Sequence, residues 1–122
     1  MKTNEEINAI RQKLFQFSGT ENWYRHFTKY LYTDGIKYLA DSCGCHWMLD
    51  KVFTLQRLPQ IKAEEFQLWT LKVFKDHTAI LTCDDGNHNI VYTEQIDVTD
   101  FPLPEGISFY FENQTACLKQ ER

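Results

Sequence analysis

The chain has 122 residues, 43% of them hydrophobic, 25% charged and only eight Gly or Pro, which excludes disorder and collagen-like structure and indicates one domain spanning residues 1–122. At 14.5 kDa the folded surface should be roughly 6,900 Å² against about 21,000 Å² unfolded, enough burial for one core without staples, and eighteen aromatic residues are there to fill it. The formal charge of −4 is uneven: residues 76–118 hold eight acids and no Lys or Arg, a poor nucleic-acid surface because phosphate binding needs clustered cations.

Helices come first. Thr3 and Glu6 have capping-box spacing, and Ile7, Ile10, Leu14 and Phe17 recur at helical intervals, predicting a helix over Asn4–Phe17 that Ser18-Gly19-Thr20 ends. Residues 27–33 are rich in β-formers and predict one short strand. Asp34 is a good N-cap, and Ile36, Leu39, Ala40 and Cys43 predict a second helix stopped by Gly44. A third helix is predicted over Cys45–Gln56, with Met48, Leu49, Val52 and Phe53 inward, Trp47 beside the stripe and Pro59 beyond its end.

From Phe66 the period becomes two. Residues 66–75 predict a strand with Trp69, Leu71 and Val73 on one face, and residues 78–84 pair back on it across Asp76-His77. Asp85-Gly86-Asn87 is the strongest turn signal in the chain. Residues 90–98 follow as a strand with Ile90, Tyr92, Ile96 and Val98 facing together, then a stiff loop over 101–106, then a hairpin of 107–112 and 115–118. The expected fold class is α+β: two to three N-terminal helices on one face of a four- to five-stranded antiparallel meander whose other face is wet.

No run reaches the ~20 apolar residues of a membrane helix, and the polar start does not resemble a secretory signal. The expected location is cytoplasmic, with the four cysteines as thiols, the sequon at Asn113 without meaning and no membrane partner.

Several strings are distinctive in combination: residues 15–26 (FQFSGTENWYRH), 32–35 (YTDG), 38–40 (YLA), 47–50 (WMLD), 64–69 (EEFQLW), 79–87 (AILTCDDGN) and 99–103 (TDFPL). In that order they resemble an uncharacterised family of small bacterial and phage proteins, a domain of unknown function, over about residues 14–112. The resemblance implies a small single-domain protein, bacterial cytosolic or carried by a mobile element, and brings no activity with it. The chain departs from that pattern at Cys43 and Cys45, where the family has small apolar residues, which weighs against a site built on those thiols.

Cys43-Gly-Cys45-His46 lacks the second ligand pair of a structural zinc site, so no metal is expected there: a buried thiol at Cys43 and a surface thiol beside it are. Residues 84–89 lack the spacing of a calcium loop and are expected to be a hairpin turn with side-chain-to-backbone bonds. No glycine-rich phosphate loop is present, and no cofactor is expected.

The most informative cluster is Trp23, Tyr24, Arg25 and His26 with Tyr32 and Asp34. It collects aromatics, a cation, an imidazole and a carboxylate around one short strand. Two readings stand: an internal Arg25–Asp34 ion pair that pins the segment, or a ligand pocket that Asp50 or Gln67 would complete. The function expected from the sequence is a non-catalytic accessory or protein-binding module with an acidic sheet surface, with a small ligand-binding protein or enzyme built on that cluster as the alternative. A protein partner is expected, and the narrow stripe of the first helix also suits a second copy of the chain.

Overall fold

The computed structural model describes residues 2–122. In chain order it contains α1 (Asn4–Phe15), β1 (Trp23–Arg25), β2 (Leu31–Thr33), α2 (Asp34–Cys43), α3 (His46–Thr54), α4 (Pro59–Lys62), β3 (Phe66–Val73), β4 (Ala79–Asp84), β5 (Ile90–Ile96), β6 (Ile107–Glu112) and β7 (Thr115–Leu118). Short 3-10 turns cover Leu55–Arg57 and Lys119–Glu121. The fold is α+β, as the sequence predicts, and the strands alternate as expected. Gln67, Trp69, Leu71, Ala79, Leu81, Cys83, Phe109 and Phe111 are buried, while Leu68, Thr70, Ile80, Thr82, Ser108 and Tyr110 between them are only half-buried.

The sheet differs from the expected meander. It has seven strands in the order β1-β2-β7-β6-β3-β4-β5, and β2 lies parallel to β7 while every other pair is antiparallel. Two local causes account for this. Residues 27–33 do not form one strand, because the chain reverses within them. The His26 N–H donates to the Tyr30 carbonyl and the Lys29 N–H to the His26 carbonyl, with Lys29 at φ 85°, so β1 and β2 become a hairpin. The loop after β5 then crosses the end of the sheet, so that β6 joins the free side of β3. Gly106 makes that return feasible: its φ is +73°, and a Cβ there would lie 2.0 Å from the Leu71 carbonyl oxygen.

Among the described residues the helices number four, against the expected two to three. α1 has the expected capping box but ends at Phe15, which lies off the apolar stripe and is 79% exposed, while Phe17 packs on Tyr38 from beyond the helix. The N-cap of α2 is Thr33, whose hydroxyl accepts from the Ile36 amide, so the Asp34 carboxylate is free for other partners. Gly44 ends α2 in the left-handed region, as expected. α3 begins at His46 and buries Met48, Leu49, Val52 and Phe53. In β5 a register shift opposite Cys83 and Asp84 sets Ile90 against Asp84, so Ile90 is exposed and Val91 packs on the core in its place. Val98 lies beyond the strand end and is 80% exposed.

Candidate functional site

The cluster predicted around the first strand is divided by strand alternation. Tyr24 and Tyr32 stack on each other, with centroids 5.6 Å apart, and the Tyr24 hydroxyl donates to Asp34 Oδ1 at 2.9 Å. Asp34 also accepts the backbone amides of Glu21 and Asn22. Burial works to raise the Asp34 pKa, but the bonds from Tyr24 and the two amides outweigh it and hold the carboxyl below its ordinary value. The same contact raises the Tyr24 phenol, chiefly because its proton is committed to Asp34. Trp23 and Arg25 project from the other face of β1 and are exposed. The expected Arg25–Asp34 ion pair is therefore not formed, and among the described residues Arg25 has no carboxylate partner.

His26 is buried between the rings of Phe27 and Phe53, at centroid distances of 4.2 and 4.7 Å. Its Nδ1 accepts the Thr28 backbone amide, and a backbone N–H can only donate, so Nε2 carries the proton and donates to Asp50 Oδ1 at 2.6 Å. Asp50 thus joins His26 and ties the β1–β2 hairpin to α3. Both ring nitrogens are engaged in that structural role. Gln67 lies elsewhere, 1% exposed, within a core network with Gln56 and Trp69.

A groove of about 1130 Å³ lies at the opposite edge of the sheet, between the helices and β5. Trp47 and Lys51 of α3 and Ile7 of α1 form one wall, Glu94 and Ile96 of β5 another, and the 97–104 loop the third. Thr99 holds that loop in place: its amide donates to the His77 carbonyl and its hydroxyl accepts from the Phe101 amide. Across the groove Lys51 Nζ meets Glu94 Oε2 at 2.7 Å, and the Tyr92 hydroxyl donates to the other Glu94 oxygen. Burial pushes Tyr92 up to about 12, with the Glu94 contact adding to it. For Glu94 burial acts upward, yet the bonds from Lys51 and Tyr92 hold it below its ordinary value. Val98 and Phe74 stand exposed at the rim.

No spacing in the sequence points to this groove, because its walls come from separate segments: α1, α3 and the continuous run of β5 with the 97–104 loop. The available signals were Trp47 lying off its helix stripe and the proline-stiffened loop.

The cation-free stretch is not one acidic face. Glu94, Glu105 and Glu112 pair with Lys51, Arg11 and Arg122, while Asp84 and Asp85 accept backbone amides in the β4–β5 turn as expected there. The outer face of the sheet is mostly apolar and hydroxyl-bearing, with Arg122 stacked over Phe66 and Tyr110. All four cysteines are free and buried, including Cys45, which the sequence placed at the surface; burial pushes the Cys45 and Cys83 thiols up to about 12. No helix is long and apolar enough to cross a membrane among the described residues.

Compared with known proteins, residues 8–122 match a family described as a family of unknown function, DUF6876. No curated protein and no solved structure matches the chain.

Proposed function

The chain belongs to the DUF6876 family, which has no known function, and we propose that it is a cytoplasmic, non-catalytic module that binds an extended segment of a partner protein. The observation that carries this reading is the groove beside β5, an edge strand. Its volume of about 1130 Å³ slightly exceeds the roughly 300–1,000 Å³ of small-ligand pockets. An edge strand offers unpaired backbone groups, and a segment laid alongside it gains main-chain hydrogen bonds while alternate side chains enter the neighbouring pocket. The register shift at the start of β5 leaves Tyr92–Ile96 as the regular part of that edge. Exposed Val98 and Phe74 supply apolar contact at the rim, and the lining carries charges of both signs, Lys2 and Lys75 as well as Asp97 and Asp100. The hydrogen-bonded ion pair of Lys51 and Glu94 gives the groove a fixed polar landmark.

The test is selection from a displayed library of random peptides, followed by binding to wild type and to Val98→Asp and Trp47→Ala. Recovered peptides should protect amides of residues 92–96 from hydrogen exchange and lose about tenfold or more in affinity with either variant. A library that yields no binder, or binders indifferent to both substitutions, overturns the reading.

A further inference from the structure

We propose that two copies of the chain associate edge to edge through β1, in an antiparallel two-fold pairing centred on Tyr24. The surface lies at the other end of the sheet from the groove, so the proposal goes beyond the function proposed above and does not depend on it.

The backbone pattern selects the register. β1 is the terminal strand, and among the described residues no element pairs with its outer side. Within the β1–β2 hairpin the His26 N–H bonds the Tyr30 carbonyl, and antiparallel ladders alternate hydrogen-bonded with non-bonded pairs. His26 and Tyr24 therefore turn their backbone groups toward β2. Trp23 and Arg25 turn theirs, both N–H and C=O, to the free edge. A two-fold axis at Tyr24 sets Trp23 of each copy against Arg25 of the other, and all of these outward groups find partners in four backbone hydrogen bonds. Moving the axis to Arg25 opposes two guanidinium groups. Moving it to Trp23 leaves Arg25 facing Glu21 outside the strand.

The side chains agree with that register. Trp23 is 58% exposed and Arg25 is exposed without a carboxylate partner among the described residues, on the same face of the strand. Facing residues in a hydrogen-bonded pair lie about 5.5 Å apart, within reach for a guanidinium to cover an indole. Each copy thus supplies the aromatic for the other's cation, twice across the dyad. An exposed aromatic and an unpaired cation, each unused within the monomer, become complementary once the surface meets itself, which is what an isologous contact requires. The occupant that fits is a second copy of this chain.

Sedimentation velocity of the full chain over a range of concentrations tests this. A concentration-dependent dimer is expected. Arg25→Glu should weaken it about tenfold or more, since it removes both cation–π pairs. The double swap Trp23→Arg with Arg25→Trp should restore it, because the same two groups then face each other in reversed positions. All three changes lie on an exposed face, and circular dichroism confirms that each variant is folded. A monomer at every concentration, a dimer unmoved by Arg25→Glu, or a swap variant that stays monomeric overturns the proposal. Val98→Asp should leave the dimer unchanged, which separates this outcome from a failure of the groove.

Discussion

Gln67 places its whole amide inside the protein. Its Nε2 donates to Gln56 Oε1 at 2.8 Å and to the Ile61 and Glu64 carbonyls, and its Oε1 accepts from Gln56 Nε2 and from the Trp69 indole N–H, both at 2.8 Å. A fully satisfied buried network stabilises its surroundings, but removing one member strands the others. Gln67→Leu should therefore cost about 3 kcal/mol, from the loss of partners for Trp69 and Gln56. Urea denaturation followed by tryptophan fluorescence measures it; Thr70→Val, on the half-buried outer face, should change stability by less than about 1 kcal/mol. A Gln67→Leu variant as stable as wild type would contradict the assigned role. At this scale the sequence was readable in part. The alternation of β3 placed Gln67 on the same face as Trp69, but nothing local announced that Gln56 would meet it from the 3-10 turn after α3. The same limit applies to Asp34, whose partners Glu21, Asn22 and Tyr24 are supplied by the chain reversal.

Among the elements, the last 3-10 turn does more than its length suggests. The Glu121 carboxylate accepts from the Thr33 hydroxyl at 2.6 Å, and from the Gly35 and Leu118 amides, both at 2.9 Å. It thus satisfies an otherwise free amide at the start of α2, where the helix dipole favours negative charge. Gln120 donates to the Leu14 carbonyl at the end of α1, and Arg122 pairs with Glu112. Glu121→Ala should lower stability by about 1–2 kcal/mol and speed exchange of the Gly35 amide. Gly35→Ala should act through the same contact, because a Cβ there would sit 2.5 Å from Glu121 Oε1. Native-state hydrogen exchange and a double-mutant cycle check this; strictly additive effects would show that the two residues do not share a contact. The boundaries of α2, α3 and the β3–β5 strands were legible because periodicity and turn residues are local signals. The exceptions are the reversal at 27–30, where β-propensity runs across a turn, and the end of α1, where Phe17 packs on Tyr38 from beyond the helix and so extends the apolar spacing past its last turn.

Taken whole, the molecule joins its beginning to its end. β2 pairs with β7, so residues 31–32 lie beside 115–116, and Arg11 of α1 reaches Glu105 at 2.7 Å. Ion pairs of this kind make stability depend on pH. Glu105 is held below its ordinary value first by its bond to Arg11, against burial, and Glu94 is held low by Lys51 and Tyr92 despite burial. A carboxylate with a depressed folded pKa binds protons more readily when unfolded. Its contribution is complete above the ordinary value of 4.5 and is lost as pH falls below it through the folded value. The denaturant midpoint should therefore be flat from neutral pH down to about 5 and decline below that, and Glu94→Gln should flatten the decline. A midpoint insensitive to acid would exclude both pairs as its source, and a Glu94→Gln variant with an unchanged profile would exclude the Lys51–Glu94 pair.

By itself the sequence determined the class of fold, the helices α1–α3 and the strands β3–β7, the inward face of α2, α3 and β3, and the membership of Trp69 and Leu71 in the core, but not the face of β5, the β1–β2 hairpin or α4. Those properties follow from periodicity, caps and turns, which act over a few residues. Only the tertiary structure decided that the sheet is mixed and seven-stranded, that the Trp23–Asp34 cluster divides between two faces, and that the groove opens beside β5. The division follows from the pleat, which sends neighbouring side chains apart. The groove follows from topology, since packing alone brings α1 and α3 against β5 and the loop that continues from it.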